Sequence, residues 1–377
     1  MDKLNQDSEN QDSVPGTVLV DVVIAVHTPD RPIERAVASL VDGGLPTDPG
    51  VGGRLRINVV CHNTEVEPIR ARVAPEHREL VRFLHYVDGI KSPAGPFNHG
   101  IEQASGTWVA IMGSDDSLEP GAIAAWTAAA ETDSADVVIA PMAHAGGGSI
   151  HTPVVRRTRR SGLDPVTDRL TYRTAPLGLL RLSLVRSLGL TFPTRYATGE
   201  DQSFSAKLWF SGARISYGRG LPRYLVHDDA DVRASYTSRP VVEDMAFATD
   251  LVATDWFAAL APKSRAAIIT KMIRVHVFGM VSLRAQAGTW DADDAAAMAR
   301  ILHQLLDAAP SAAQPLSLAD RALLDAVAGQ EPDVAHMLRL TTARRMFKSP
   351  RTWFPRNLSQ LFHPEAPLRF MSASALV

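Results

Sequence analysis

Apolar positions in the first 240 residues fall into short runs separated by helical spacing. "VLVDVVIAV" (18–26) is a β-branched run short enough for a buried strand. After it, Asp30 and Pro32 read as a helix start. Ile33, Ala36, Val37, Leu40 and Val41 then share one helical face until Gly43 and Gly44 stop it. "RINVVCH" (56–62), "VRFLHYV" (81–87), "WVAIMG" (108–113) and "DVVIAPM" (136–142) read as further strands. Helical pieces are predicted in "EPIRARVAPEHREL", at about 97–105 and at about 119–131. This rhythm implies an α/β fold with a mostly parallel, doubly wound sheet flanked by helices, its loops gathered at the carboxyl edge. "HAGGGSIHTP" (144–153) reads as a flexible excursion, and "RRTRR" (156–160) as a basic cluster in the loop that follows. Beyond about residue 240 the strand signal ends and alanine-rich helical segments run to about 346. The expected units are a disordered tail (1–17), an α/β domain (18–238), a helical C-terminal region (239–338) and a basic, aromatic tail (339–377).

Composition narrows the classes. A hydrophobic content of 45% with 21% charged residues supports a sizeable core. A formal net charge of −2 gives no global attraction to nucleic acid, which is not expected as a partner. The single cysteine, Cys61, excludes an internal disulfide framework and suits a reducing cytoplasm. The first residues lack the basic-then-apolar order of a signal peptide. No uninterrupted apolar span reaches membrane length; the best candidate, "AAIITKMIRVHVFGMVSL", carries Lys271, Arg274 and His276.

Two acidic doublets stand out. In "IMGSDDSLEPG" (111–121) an apolar strand ends in Gly113 and Ser114 and places Asp115 and Asp116 side by side. Adjacent like charges call for a cation, and hard divalent ions take carboxylates together with substrate phosphates. The plainer reading is a turn whose Asp115, Asp116 or Ser117 caps the following helix. In "ATGEDQSFSAKLWFSGA" (197–213) Glu200 and Asp201 open a helix. They complement its dipole, or one of them serves as a general base at its mouth. "LPRYLVHDDADVRAS" (221–235) ends a short strand at His227, a structural histidine or a metal ligand. Neither GxGxxG after the first strand nor GxxxxGK[ST] is present, so no glycine-rich cradle holds a phosphate.

The order of these segments over about residues 18–235 resembles the inverting family 2 glycosyltransferases, which have the GT-A (Rossmann-like) fold. "AVHT" stands where that family usually has Pro-Val-Tyr-Asn, and "FNHGIEQASGTWVAIMGSDDSLEPGAI" is similar to its Asn-x-Gly element and acidic metal motif. "GEDQSF" resembles the Glu-Asp motif, and "YLVHDDADVRAS" the late His-then-Ser segment. The resemblance implies Mg²⁺ or Mn²⁺ as cofactor, with Asp115 and His227 as ligands. Thr28, Asp30, Asn63, Asn98, Ser114 and Asp116 would contact the nucleotide or substrate. Asp201 would be the base that takes the acceptor proton, with Glu200 supporting the acceptor.

It further implies a nucleotide-sugar donor, a UDP-sugar first, and a glycan or lipid-linked acceptor in cell-wall or surface polysaccharide synthesis. Two departures are visible. Gly113 occupies the place of the first aspartate of the metal motif, and Asn63 stands near the usual uracil- or ribose-binding aspartate. The alternatives are a non-catalytic sugar-nucleotide or glycan-binding module and a nucleotidyltransferase. The latter should carry basic residues just after the first strand, where only Arg31 stands.

The stretch 339–362 has six basic residues, no acidic ones, and interleaved Met346, Phe347, Trp353, Phe354 and Phe362. It reads either as a segment packed on the domain or as a peripheral anchor to the inner face of a membrane. The helical region before it offers a surface for self-association or an acceptor-binding lid.

Overall fold

The computed structural model describes residues 18–48, 53–227 and 239–375. The segment 1–17, read as a disordered tail, lies outside them, as does 228–238, which holds the end of the late His-then-Ser segment.

The first half alternates β1 (Val20–Val26), α1 (Ile33–Val41), β2 (Leu55–His62), α2 (Val66–Arg72), β3 (Val81–Tyr86), α3 (Ala94–Gln103) and β4 (Trp108–Gly113). Then come β5 (Ser117–Leu118), α4 (Ala122–Thr132), β6 (Val137–Ile139), β7 (Met142–His144), β8 (Ser149–Ile150), β9 (Gly178–Arg181), α5 (Leu182–Ser187), α6 (Glu200–Trp209), β10 (Ile215–Tyr217) and β11 (Tyr224–Val226). The main sheet has seven strands in the order β10-β6-β9-β4-β1-β2-β3. β9 is antiparallel to both neighbours, and the remaining pairings are parallel. β1 lies inside the sheet with both faces covered, which is why it reads as a continuous apolar run and not as an alternation. One face packs on α1 and α4 through Ile33, Leu40, Ile123 and Trp126, the other on α3, α5 and α6 through Ile101, Val185, Phe204 and Leu208.

Three expectations change. The run 136–142 is not one strand, because the chain leaves the main sheet at Ala140–Pro141, where proline has no N–H to donate. It continues as β7 in a second sheet ordered β5-β11-β7-β8. The excursion at 144–153 begins as a hairpin of β7 and β8, with the His144 N–H donating to Gly148 O at 3.0 Å and Gly147 and Gly148 at φ 103° and 94°. β9 and β10 went unread, since runs of three or four residues show no periodicity of their own.

The helical region comprises α7 (Val241–Asp244), α8 (Ala246–Val252), α9 (Asp255–Ala259), α10 (Pro262–Lys271), a π-helical turn (Met272–Val277), α11 (Phe278–Ala287), α12 (Ala292–Ala308), α13 (Leu318–Ala328), α14 (Val334–Ala343) and α15 (Pro367–Ala375). Its own core includes Phe247, Met272, Ile273, Phe278 and Leu302 and reaches Tyr196 and Ala206 of the α/β part. The continuous helix Pro262–Ala287 is long and apolar enough to cross a membrane, yet 67% of its most apolar window is buried within the fold.

The tail packs back on the fold. Arg344 Nε donates to Asp320 Oδ1 at 2.9 Å, and Arg169 Nε to Pro364 O at 2.9 Å. Glu365, fully buried, accepts from Tyr172 at 2.7 Å and from Arg274 at 2.8 Å. Met346, Phe347, Leu358 and Phe362 remain exposed along this strap.

Candidate active site at the carboxyl edge of the sheet

The loops leaving β1, β2, β3 and β4 meet at one edge, where ligands of open α/β sheets bind. β9 is antiparallel to β4, so the segment entering it, Arg173–Leu177, reaches the same edge. α6 is fastened to that segment: Ser205 Oγ donates to Thr174 O, and Trp209 Nε1 to Arg173 O at 3.0 Å. The two acidic doublets therefore lie along one edge of one sheet.

The first doublet does not cap a helix. α4 starts at Ala122 behind Gly121, with no side-chain cap. Asp115 Oδ2 instead accepts from Arg31 Nη1 at 2.5 Å, and Arg35 Nη2 donates to the Asp115 carbonyl. Asp116 turns away. Its Oδ2 accepts from Tyr224 Oη at 2.5 Å and its Oδ1 from the His227 N–H at 3.1 Å, while the Gly113 N–H donates to the same Tyr224 oxygen at 2.9 Å. Burial pushes the Asp116 carboxyl up, Tyr224 and the His227 N–H act against this, and the Asp115 charge adds to it. The His227 ring lies 2.8 Å from Ser117 Oγ, and Ser114 is buried beside the doublet. The repulsion between the two carboxylates is thus divided between a guanidinium and a set of neutral donors.

Gly113 has a physical reason. A Cβ there would stand 2.6 Å from Asp116 Oδ2 and 3.3 Å from Asp115 Oδ1, so the Asp116 carboxylate fills the space a first-position aspartate needs. Gly113→Asp, which restores the usual motif, is expected to destabilise the fold by about 1–3 kcal/mol through overpacking and a third carboxylate. Thermal unfolding measures it, and an unchanged midpoint would show that Asp116 can leave this place.

The predicted nucleotide contacts separate into two groups. Thr28 Oγ1 donates to Asp30 Oδ2 at 2.9 Å in an exposed turn after β1, so both stand at the mouth. Asn63 and Asn98 are engaged within the fold, Asn63 with the His62 ring at 2.9 Å as well as with the backbone. Asn63, at φ 53°, accepts from the Asp88 and Gly89 N–H groups at 3.1 and 2.9 Å and donates to Ile90 O at 3.2 Å. Asn98 clasps Phe192 by two 2.8 Å bonds, one to its carbonyl and one from its N–H, and so holds the segment leading into α6. Asp88 is the carboxylate that the reading of this loop missed. Burial raises it, but the His62 ring at 2.7 Å and the Ile90 N–H hold it below the usual range. The "DG" dipeptide closing β3 was its signal in the sequence.

At the second doublet, α6 begins behind Gly199 at φ 78°, where a Cβ would stand 2.4 Å from the Phe247 ring. Any other residue there would push α8 off the helix start. Burial and the neighbouring Asp201 charge raise the Glu200 carboxyl to about 7. Burial also pushes Asp201 up, opposed by the Lys271 charge and by hydrogen bonds from Gln202 and Thr174. Among the described residues no cluster of three or more His, Cys, Asp or Glu side chains is arranged to hold a metal ion. The donor set near Asp115 fits a hard cation only where substrate phosphates complete the coordination.

The open, mostly parallel sheet with its helical C-terminal region has the GT-A fold. Residues 21–188 match the model of Glycosyl transferase family 2. It is 21% identical over 216 residues to a poly(ribitol-phosphate) beta-glucosyltransferase of Bacillus spizizenii, an alignment covering 56% of this chain and 33% of that one. It is 22% identical over 158 residues to the Staphylococcus aureus poly(ribitol-phosphate) beta-N-acetylglucosaminyltransferase TarP, covering 42% and 48%. The chain thus spans between about a third and a half of the length of these curated relatives. The crystal structure of S. aureus TarS 1–349 in complex with UDP-GlcNAc shares the fold at a TM-score of 0.70 and 14% identity, covering 88% of this chain and 92% of that one.

Proposed function

We propose that this protein is an inverting glycosyltransferase that moves a sugar from a nucleoside diphosphate, UDP first, to a hydroxyl of a cell-wall or surface polymer. The observation that carries the reading is the pairing of two different acidic sites along one sheet edge, one facing arginines and one buried at a helix start. Direct displacement needs charge neutralisation on the leaving side and a proton acceptor on the attacking side. Asp115, Arg31 and Arg35 suit the diphosphate, and Asp201 suits the acceptor hydroxyl, with Glu200 beside it. A divalent ion held by Asp115, with His227 nearby, would neutralise the diphosphate as the glycosidic bond breaks. Thr28, Asp30 and Asp88 stand where the nucleoside would enter.

A ribitol-phosphate type of acceptor is favoured by the names of the curated relatives, and a reducing cytoplasm by the lone, buried Cys61. Turnover of a panel of sugar nucleotides, with and without Mn²⁺ and with a polyol-phosphate acceptor, tests the reading. UDP-sugar consumption that needs both metal and acceptor is the expected result. Binding of the nucleotide with no turnover of any sugar would make the domain a binding module.

A further inference from the structure

The helical region contributes a buried cation to the candidate active site. Lys271, 2% exposed, is the last residue of α10. A buried ammonium must be fully partnered. Its Nζ donates to Gln202 Oε1 and lies 2.8 Å from His276 Nε2. Lysine only donates, so the Gln202 oxygen must face it, which leaves the Gln202 Nε2 for Asp201 Oδ1 at 2.9 Å. By the same logic His276 accepts at Nε2, and burial together with the Lys271 charge holds that ring neutral. The π-helical turn has a local purpose here. Its i→i+5 bonding brings Lys271 and His276, five positions apart, onto one face, where α-helical spacing would set them apart.

We infer that Lys271 and Gln202 are positioning residues for Asp201, and that through them the helical region holds this carboxylate oriented and ionised for the acceptor proton. The inference rests on the reading of Asp201 as the base. The lysine acts through Gln202 and not on a substrate, because the cavity beside it, lined by Thr171, Thr174, Gln202 and Trp209, is about 10 Å³, room for one water at most. Glu200 shares the α6 turn, Thr174 bonds Asp201 from the segment before β9, and Phe247 of α8 packs edge-on to His276 at 4.8 Å. Arg274 of the π turn points to Tyr172 and Glu365, and Arg173 donates to Ala140 O. Burial brings Lys271 down to about 7 while the Asp201 charge draws it back up.

The test is the pH profile of sugar transfer by the full chain carrying Lys271→Met, which removes the buried charge at similar volume and should lower the melting temperature, because it leaves Gln202 Oε1 and His276 Nε2 without their donor. Without the cation the carboxylate protonates more readily. The acid limb should move up by about one pH unit, so that transfer on that limb falls about tenfold, while transfer on the plateau above it stays within about threefold of wild type. Lys271→Arg, which keeps the charge, should keep the limb. If Lys271→Met does not fold, Lys271→Gln reads the same limb with a donor retained. An acid limb that stays in place, or a uniform loss at every pH, overturns the inference. If Asp201→Asn proves active, the reading of the base fails first. If Asp201→Asn is inactive and the limb does not move, only the role of Lys271 and Gln202 fails.

Discussion

Asp201→Asn should lower sugar transfer by about 10²–10⁴-fold while leaving donor affinity within about threefold. Asparagine keeps the size of the side chain and its bond with Gln202, and removes only the ability to accept a proton. The carboxylate sits on a rigid element, held by the Gly199–Phe247 contact behind it and by Gln202 and Thr174 at its sides. Its burial carries a pH consequence. A base works only when deprotonated, and burial pushes Asp201 up while Glu200 is raised to about 7. Transfer by the wild type should therefore decline on an acid limb that lies above the range of an ordinary aspartate and level off at higher pH, and Asp201→Asn should lose that limb. Steady-state rates across pH, with donor affinity measured separately, check both points. Transfer by the variant at near wild-type rate would return the doublet to a helix start.

Asp115→Asn should abolish the metal-dependent part of nucleotide binding. With UDP at a hundredfold its dissociation constant, the wild type should gain about 2.7 kcal/mol of stability when Mn²⁺ or Mg²⁺ is present, and much less without it. The variant should show the smaller gain under both conditions. Its own stability without ligand should drop by about 1 kcal/mol or less, because the Arg31–Asp115 pair is partly solvated and α4 does not use Asp115 as a cap. Thermal shifts with UDP, with metal, and with both separate these contributions. A full metal-dependent shift in Asp115→Asn would place the cation elsewhere or leave neutralisation to Arg31 and Arg35.

The long, β-branched or regularly spaced segments were legible because their signal is local. β1, β2, β3 and β4 are runs of six to eight residues, and α1 presents Ile33, Ala36, Val37 and Leu40 to the core at helical spacing. Both acidic doublets were legible too, since each follows a glycine or a glycine and serine at the end or start of such a segment. Pairing partners were not. Arg31 and Asp115 are 84 positions apart, Tyr224 and Asp116 are 108, and Lys271 and Gln202 are 69, so only the fold brings each pair together.

The asparagines show the converse. Asn63 and Asn98 stand at the places a nucleotide contact would take, yet their amides are occupied by the backbone of Asp88, Gly89 and Phe192, partners that no local pattern announces. By itself the chain's pattern of apolar and polar positions determined a mostly parallel α/β sheet and the helical character of the region from about residue 240 to about 346. The tertiary structure alone decided which charge faces which carboxylate, why Gly113 must stay small, and that a lysine of the helical region stands behind Asp201. Periodicity is set by neighbours in the chain, whereas charge pairing and burial are set by neighbours in space.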